Sequence, residues 1–318
     1  MKKVIITGPT GAIGIALIEK FIQQKVNVLA VCRKGSKRIN RIPVSKYVKV
    51  LECNLDSLHE LPKMVKEQYD VFYHFAWDGT IGDSRNNMCV QVNNIKYTLD
   101  AVDVAAAMGC KRFVGAGSQA EYGRVEGVLN SNTSTFPENG YGMAKLCAGQ
   151  MSRVASEQKG IEHIWTRILS IYGPCDGDNT MIMSTIIKLE SQEIPLLTKG
   201  EQQWDYLYSR DAAEAFSLLG ECGIHGKIYC IGGGKTRLLR SYMNSLWQIG
   251  AYTTKLGIGE REYFPKQVMY LCADISELTK DTGFVPQYTF EEGIRETIEW
   301  YRSTMKREEY SYNETKSI

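Results

Sequence analysis

The chain of 318 residues is 43% hydrophobic and 23% charged with a formal net charge of +2, enough to bury a substantial core in one or two globular domains and too balanced to suggest a nucleic-acid partner. Its nine cysteines are odd in number and hold no C-x-x-C pair, and its four histidines show no ligand spacing. This excludes a disulfide frame and a metal site, and it fits the reduced thiols of a cytoplasmic protein.

Lys2-Lys3 ahead of the apolar stretch Val4 to Ile18 imitates a secretory leader. Gly8, Pro9, Gly11 and Gly14 interrupt it and no small-residue cleavage site follows, so the stretch reads as a first strand and helix. No segment has the roughly 18 consecutive apolar residues of a membrane span. Lys3 to Thr7 is a short buried strand, Gly8-Pro9-Thr10-Gly11-Ala12-Ile13-Gly14 a glycine turn, and an apolar helix follows through Ile22. Strand, glycine turn and helix in that order form a cradle for a pyrophosphate, because glycines admit it to the backbone and the helix start offers free N–H groups. Gly8, Thr10, Gly11, Ala12, Ile13 and Gly14 are therefore candidate cofactor-binding positions.

Val26 to Val31 is the second strand, and Val31-Cys32-Arg33-Lys34 marks its end. An acidic residue there binds the ribose hydroxyls of NAD and a basic one accommodates the 2′-phosphate of NADP. Arg33 with no carboxylate beside it favours NADP(H) and leaves NAD(H) possible. Tyr47 to Leu51 is strand three. Strand four, from Asp70, runs into the loop Ala76-Trp77-Asp78-Gly79, at the strand end where parallel sheets bind ligands. Trp77 either floors a nicotinamide or plugs the loop.

Asn86 to Met108 carries Val90, Ile95, Leu99, Val102 and Ala106 at helical spacing. Strand five, Arg112 to Ala116, delivers Ser118. Tyr141-Gly142-Met143-Ala144-Lys145 places a phenol and an ammonium one helical turn apart on one face. The ammonium is expected to draw the phenol's pKa from about 10 toward the working range of a general acid. Ile161 to Leu169 is strand six, and Lys227 to Ile231 another strand. The Gly232-Gly233-Gly234 turn after it lacks phosphate-loop spacing. Past Trp300 the polar run from Lys306 reads as a frayed tail.

In order and nearly end to end, these motifs resemble the extended short-chain dehydrogenase/reductase family of nucleotide-sugar epimerases, dehydratases and reductases. The matching segments include Asp70 to Ala76, Asn94-Ile95-Lys96-Tyr97-Thr98, Gly117 to Gly123, Arg167 to Pro174, Trp204-Asp205 to Asp211, and Asp274 ahead of Gly283-Phe284-Val285-Pro286. The resemblance implies an α/β fold with a doubly wound parallel Rossmann sheet and a smaller discontinuous C-terminal substrate domain. It divides the chain into a cofactor domain of residues 1–173 plus roughly 204–232, a substrate domain of 174–203 plus 233–305, and a polar tail, 306–318. Ser118, Tyr141 and Lys145 become the catalytic set, with Ser118 holding the substrate oxygen and Lys145 also touching the nicotinamide ribose. Asn54, Leu55, Phe75, Ala76, Trp77 and Asn94 join the cofactor contacts, and the helices bearing Asn94 and Tyr141 imply a homodimer.

Where 4,6-dehydratases carry an Asp-Glu pair, this chain has Gln119-Ala120, so dehydration lacks its acid and base, and Glu121 stands one place too late. Trp204 replaces the arginine that meets the diphosphate of many nucleotide sugars, Ser170 replaces an asparagine, and Arg261 or Lys266 is left to supply a cation. Trp77, Gln119, Ser170, Trp204 and Arg261 are the candidate substrate contacts. The expected activity is a nucleotide-sugar 4-keto(-6-deoxy)hexose reductase, with a 4-epimerase holding NAD tightly as the alternative and a non-catalytic NADP-binding regulator third.

Overall fold

The computed structural model describes residues 1–315, with side chains through residue 305. The strands in chain order are β1 (Lys3–Thr7), β2 (Asn27–Cys32), β3 (Val48–Glu52), β4 (Val71–His74), β5 (Arg112–Ser118) and β6 (Glu162–Ile168), then the short β7 (Ser170–Tyr172), β8 (Leu196–Leu197), β9 (Gln203–Trp204) and β10 (Tyr206–Tyr208). After β11 (Ile228–Ile231) come β12 (Arg237–Leu238), β13 (Gly257–Ile258) and β14 (Tyr270–Leu271). The helices are α1 (Ala12–Gln23), α2 (Leu61–Met64), α3 (Met88–Ala107), α4 (Gly140–Gln158), α5 (Met181–Glu190), α6 (Ser209–Cys222), α7 (Leu239–Ile249), α8 (Ser276–Thr282) and α9 (Phe290–Thr315).

Strands β1 to β6 and β11 form one seven-stranded sheet in the order β11-β6-β5-β4-β1-β2-β3, parallel throughout. Side chains alternate across a strand, so a run of apolar residues feeds two cores at once. Val4 and Ile6 join Ile15, Leu17, Ile18, Phe21 and Phe216 on the face covered by α1 and α6. Ile5 joins Phe72, Phe113, Ala101, Val102 and Ala105 on the face of α3, against which α4 packs. Asparagine side chains start the two long helices: Asn87 accepts from the Val90 N–H and Asn139 from the Gly142 N–H. The chain order reverses between β1 and β4, and the loops leaving those two strands open a crevice there.

A third core gathers Ile182, Met183 and Ile186 of α5, Tyr242, Met243 and Leu246 of α7, and Ile294 and Ile298 of α9 around Tyr172 and Tyr208. The run from Lys306, expected to be a frayed tail, continues α9 as far as Thr315. That run begins Lys-Arg-Glu-Glu, good helix formers, and contains no glycine or proline to stop it. Residues 316–318 of the expected tail lie outside the described residues. No helix among the described residues is long and apolar enough to cross a membrane.

Asp205, between β9 and β10, has no exposed surface. Its carboxylate accepts the N–H groups of Gly233 at 2.7 Å, Gly234 at 3.0 Å and Ala273 at 3.0 Å. Removing the acceptor strands three backbone donors, one buried and two half-buried, and each costs up to about 1–3 kcal/mol. Asp205→Ala is accordingly expected to lose about 3 kcal/mol or more of stability, and Asp205→Asn, which keeps one acceptor oxygen, to lose less. Chemical denaturation of the two variants beside the parent checks both the size and the order.

Candidate active site

The glycine turn is built by close approach. Gly8 has φ +68°, and a Cβ there would lie 2.6 Å from the Ala76 nitrogen; a Cβ on Gly14 would lie 2.7 Å from the Pro9 backbone. Gly8 thereby seats the turn against the exit of β4, and Gly14 seats α1 against the turn. Gly11 meets nothing within 4 Å, and no side chain caps α1. The first N–H groups of that helix are free for an anion. A cleft of about 850 Å³ opens from this point and is lined by Gly8, Thr10 and Gly11, by Phe75, Ala76 and Trp77, and by Arg33, Asn54 and Leu55. Its walls also include Ser36, Lys37, Arg38 and Asp56, none of which the sequence singled out. Ala12, Ile13 and Gly14 lie in the first turn of α1 behind that wall.

Asn94 does not reach the cleft. It is buried, its amide donates to the Asp78 carbonyl at 2.8 Å and the Val90 carbonyl at 3.1 Å, and its oxygen accepts the Asp78 N–H at 2.9 Å. Each of its polar atoms is used to pin the loop that carries Trp77. Gln91 pins the same loop, accepting Trp77 Nε1–H at 3.0 Å and donating to the Gly79 and Ser84 carbonyls.

Ser118, Tyr141 and Lys145 come together beside the cleft, with Trp77 as the dividing wall. Lys145 Nζ lies 3.7 Å from the Trp77 ring centroid and donates to the Ala116 carbonyl at 2.5 Å. The Trp77 and Tyr141 rings meet edge to face at 6.0 Å, and the Arg85 guanidinium sits 4.3 Å over the Tyr141 ring. The phenol's pKa does not move as the sequence implied. Burial raises it, against the pull of a hydrogen bond with Ser118 and the positive charge of Arg85. The same burial drives Lys145 from 10.5 down to about 7, with the negative charge of Glu121 opposing. His74 beneath, its Nδ1 2.9 Å from Thr7 Oγ1, is pushed by burial to about 3 and is neutral.

A second cavity of about 240 Å³ lies under the third core, walled by Trp204, Tyr206, Leu197, Met243 and Phe264, with Arg240 and Arg261 as its cations. Arg261 stands 5.0 Å over the Phe264 ring. Trp204 Nε1–H donates to Ser170 Oγ at 2.8 Å, so the two departures from the family pattern are partners. Ser170 supports the wall from behind, and neither Gln119 nor Lys266 belongs to it. Arg85, Gln91 and Arg240 were missed in the sequence, and Glu121 was noticed only as misplaced, because no motif or period marks a residue whose role is set by contacts in the fold.

The sequence model of the NAD dependent epimerase/dehydratase family matches residues 4–232. Among curated proteins the chain is 27% identical over 316 residues to the trifunctional UDP-glucose 4,6-dehydratase/UDP-4-keto-6-deoxy-D-glucose 3,5-epimerase/UDP-4-keto-L-rhamnose-reductase RHM1 of Arabidopsis thaliana; the match takes in 94% of this chain and 47% of that protein, so the chain spans about half its length. Among solved structures, the UDP-N-acetylglucosamine 4-epimerase from Methanobrevibacter ruminantium M1, in complex with UDP-N-acetylmuramic acid, superposes with a TM-score of 0.85 at 21% identity over 95% of this chain and 99% of that one. The UDP-glucuronic acid 4-epimerase from Bacillus cereus, in complex with UDP-glucuronic acid and NAD, gives 0.82 at 18% identity over 95% and 99%. These likenesses show the shared fold.

The depressed Lys145 pKa makes a prediction about the protein without cofactor. Unfolded, the lysine holds its proton up to about 10.5, while folded it releases it near 7. The unfolded state therefore binds more protons between those values, and stability rises with pH across that window. Below 7 the full cost of burying an ammonium is present. Lys145→Met is expected to melt a few degrees above the parent at pH 7 and to lose that advantage toward pH 10, as read by thermal unfolding at the two pH values.

Proposed function

The chain belongs to the NAD dependent epimerase/dehydratase family, and we propose that within it the protein is a nucleotide-sugar 4-keto(-6-deoxy)hexose reductase. The observation that carries this reading is the gathering of Ser118, Tyr141 and Lys145 behind Trp77, at the edge of a cleft whose far end is a glycine turn. The cleft residues fit a dinucleotide: Gly8 keeps the backbone low where a Cβ would collide with Ala76, and the uncapped start of α1 suits a pyrophosphate. When bound, the nicotinamide would supply the hydride.

In this reading Ser118 holds the substrate carbonyl oxygen by a hydrogen bond and Tyr141 delivers a proton to that oxygen as hydride arrives at the carbon. A phenol whose pKa is raised by burial keeps its proton near neutrality, which suits a group that must give one up. Dehydration is disfavoured because Gln119 and Ala120 provide no carboxyl group and Glu121 is buried in other contacts.

NADP(H) is our proposed cofactor over NAD(H). Arg33, Lys37 and Arg38 line the end of the cleft beside β2. The carboxylate nearest to Arg33 in the sheet register, Glu52, is engaged by the Gly35 N–H at 2.6 Å. The 4-epimerase with tightly held NAD stays as the second reading, favoured by the two solved 4-epimerases, one of them carrying NAD. For the substrate, a nucleotide-linked sugar would set its carrier in the Trp204 cavity, with Arg240 and Arg261 as the cations for its phosphates.

We assign residues 1–173 with roughly 204–232 to the cofactor domain and 174–203 with 233–305 to the substrate domain. A cytoplasmic homodimer completes the proposal. Met88 and Val92 of α3 and Met143, Met151 and Val154 of α4 are exposed apolar residues at helical spacing on neighbouring helices, and a sedimentation mass of one chain would refute the dimer.

Purified protein is expected to oxidise NADPH when given a nucleotide-linked 4-keto-6-deoxyhexose, and Tyr141→Phe to lower turnover by about 10²- to 10⁴-fold with cofactor binding intact. A near-stoichiometric complement of NAD that survives dialysis would instead select the epimerase. Arg33→Ala should weaken NADPH binding by on the order of tenfold while sparing NADH. Calorimetric titration with both cofactors decides this, and equal affinities untouched by the substitution would refute the preference.

A further inference from the structure

Behind Ser118 lies a buried charge that the proton-transfer steps above do not employ. The Glu121 side chain is 1% exposed. Its Oε1 accepts the Ser118 N–H at 2.8 Å and Trp165 Nε1–H at 3.0 Å, and its Oε2 accepts Arg167 Nε–H at 2.8 Å. Burial pushes this carboxyl's pKa up, with Arg167 and the Ser118 N–H opposing. All three partners are donors, so the species they hold is the carboxylate; a carboxyl proton would have no acceptor among them.

The surroundings are cut to admit it. A Cβ on Gly117 would fall 2.3 Å from Glu121 Oε1, a Cβ on Gly115 2.3 Å from the Trp165 ring, and a Cβ on Gly149 2.6 Å from that ring. Three glycines therefore make room for the indole and for the carboxylate it supports. Stability alone is a weak reason for such an arrangement, since apolar side chains of similar volume commonly do as well as a buried ion pair.

We propose that Glu121 is a positioning residue of the proton-transfer site: its hydrogen bond from the Ser118 N–H fixes the turn that presents the Ser118 hydroxyl, and its carboxylate places a buried negative charge behind Lys145 and Tyr141. The proposal rests on the oxidoreductase reading of that trio. On the far side of the carboxylate stand Arg167 on β6, whose guanidinium also covers the Tyr122 ring at 4.4 Å, and Arg153 and His163, which share a cavity of about 70 Å³ with it. The Cys230 thiol also feels its charge. Toward the cleft stand Lys145 and Tyr141, with Arg85 over the phenol. His74 and His163 are both driven to about 3 by burial and carry no charge near neutrality. Glu121 is thus the carboxylate that acts on both Lys145 and Tyr141, raising the pKa of each.

The test compares the parent with Glu121→Gln and with Glu121→Gln/Arg167→Met, which removes the orphaned guanidinium should the single variant fold poorly. Cofactor Kd and substrate KM are expected to stay within about twofold, while kcat falls about tenfold or more and the limb on which it declines with rising pH moves at least about half a unit lower. Carbon-13 NMR of lysine-labelled, cofactor-free protein, with Lys145 assigned through Lys145→Met, gives a readout independent of turnover. There the Lys145 midpoint should move to lower pH in both variants. A reduced kcat with the limb and the midpoint unmoved would make Glu121 a packing residue only and overturn the proposal. A parent without turnover whose Lys145 midpoint still responds to Glu121 would overturn the oxidoreductase reading instead.

Discussion

The Asp205 carboxylate is the constraint from which the two halves of the structure take their relation. It sits without exposed surface where the chain passes from β9 to β10, and it gathers three backbone donors from two distant places, the turn after β11 and the second residue after β14. A Cβ on Gly232 would lie 2.8 Å from Asp205 Oδ2, and one on Gly233 2.7 Å from Oδ1. The triple glycine after β11 is thereby explained: its small residues let the main chain close on a carboxylate of the protein itself. Burial raises the pKa of that carboxyl and the three N–H groups oppose the rise, as hydrogen bonds to the charged form do. The neighbouring residue Trp204 is held by the same anchor as a wall of the second cavity.

The cofactor cleft depends on a different economy. Lys145 is buried among an indole, a carbonyl and a neutral histidine, a setting that favours loss of its proton. Holding a working ammonium there requires opposite charge within the protein, in the ligand, or in both. The same low-dielectric setting magnifies any charge brought to it. The cost of burying the lysine and the strength of its later interactions therefore have one cause, and the cofactor-free protein bears that cost as lowered stability.

Much of the fold was readable because it rests on local rules. The apolar runs of β1, β2 and β4 are strands buried on both faces; β1 has the expected limits, and those of β2 and β4 differ by one or two residues. The glycine turn and the one-turn spacing of Tyr141 and Lys145 are likewise local geometry. What escaped is what depends on distant partners. Asn94 matched a motif, yet its amide is consumed by the Asp78 and Val90 backbone. Glu121 looked misplaced relative to a dehydratase pair, and its use is set by Arg167, 46 positions away on another strand. The shift of the Tyr141 phenol was misjudged in sign because the ammonium is visible in the sequence and the depth of burial is not.

Trp204 and Ser170 show how a departure from a family pattern becomes intelligible as a pair. β10 and β7 are parallel with Tyr206 opposite Ser170, which brings Ser170 to a point two residues along the chain from the tryptophan of β9. An indole has one polar hydrogen, and here Ser170 Oγ takes it at 2.8 Å. Trp204 is thus committed to presenting an apolar surface and has no donor left for an anion. Any phosphate on a substrate seated in this cavity has to be met by Arg240 from α7 or by Arg261 from the segment after β13. Neither guanidinium belongs to the sheet that carries Ser118 or to α4, which carries Lys145. In the proposed reading, recognition of the carrier and chemistry on the sugar would then fall to separate groups of residues, with the buried Asp205 between them.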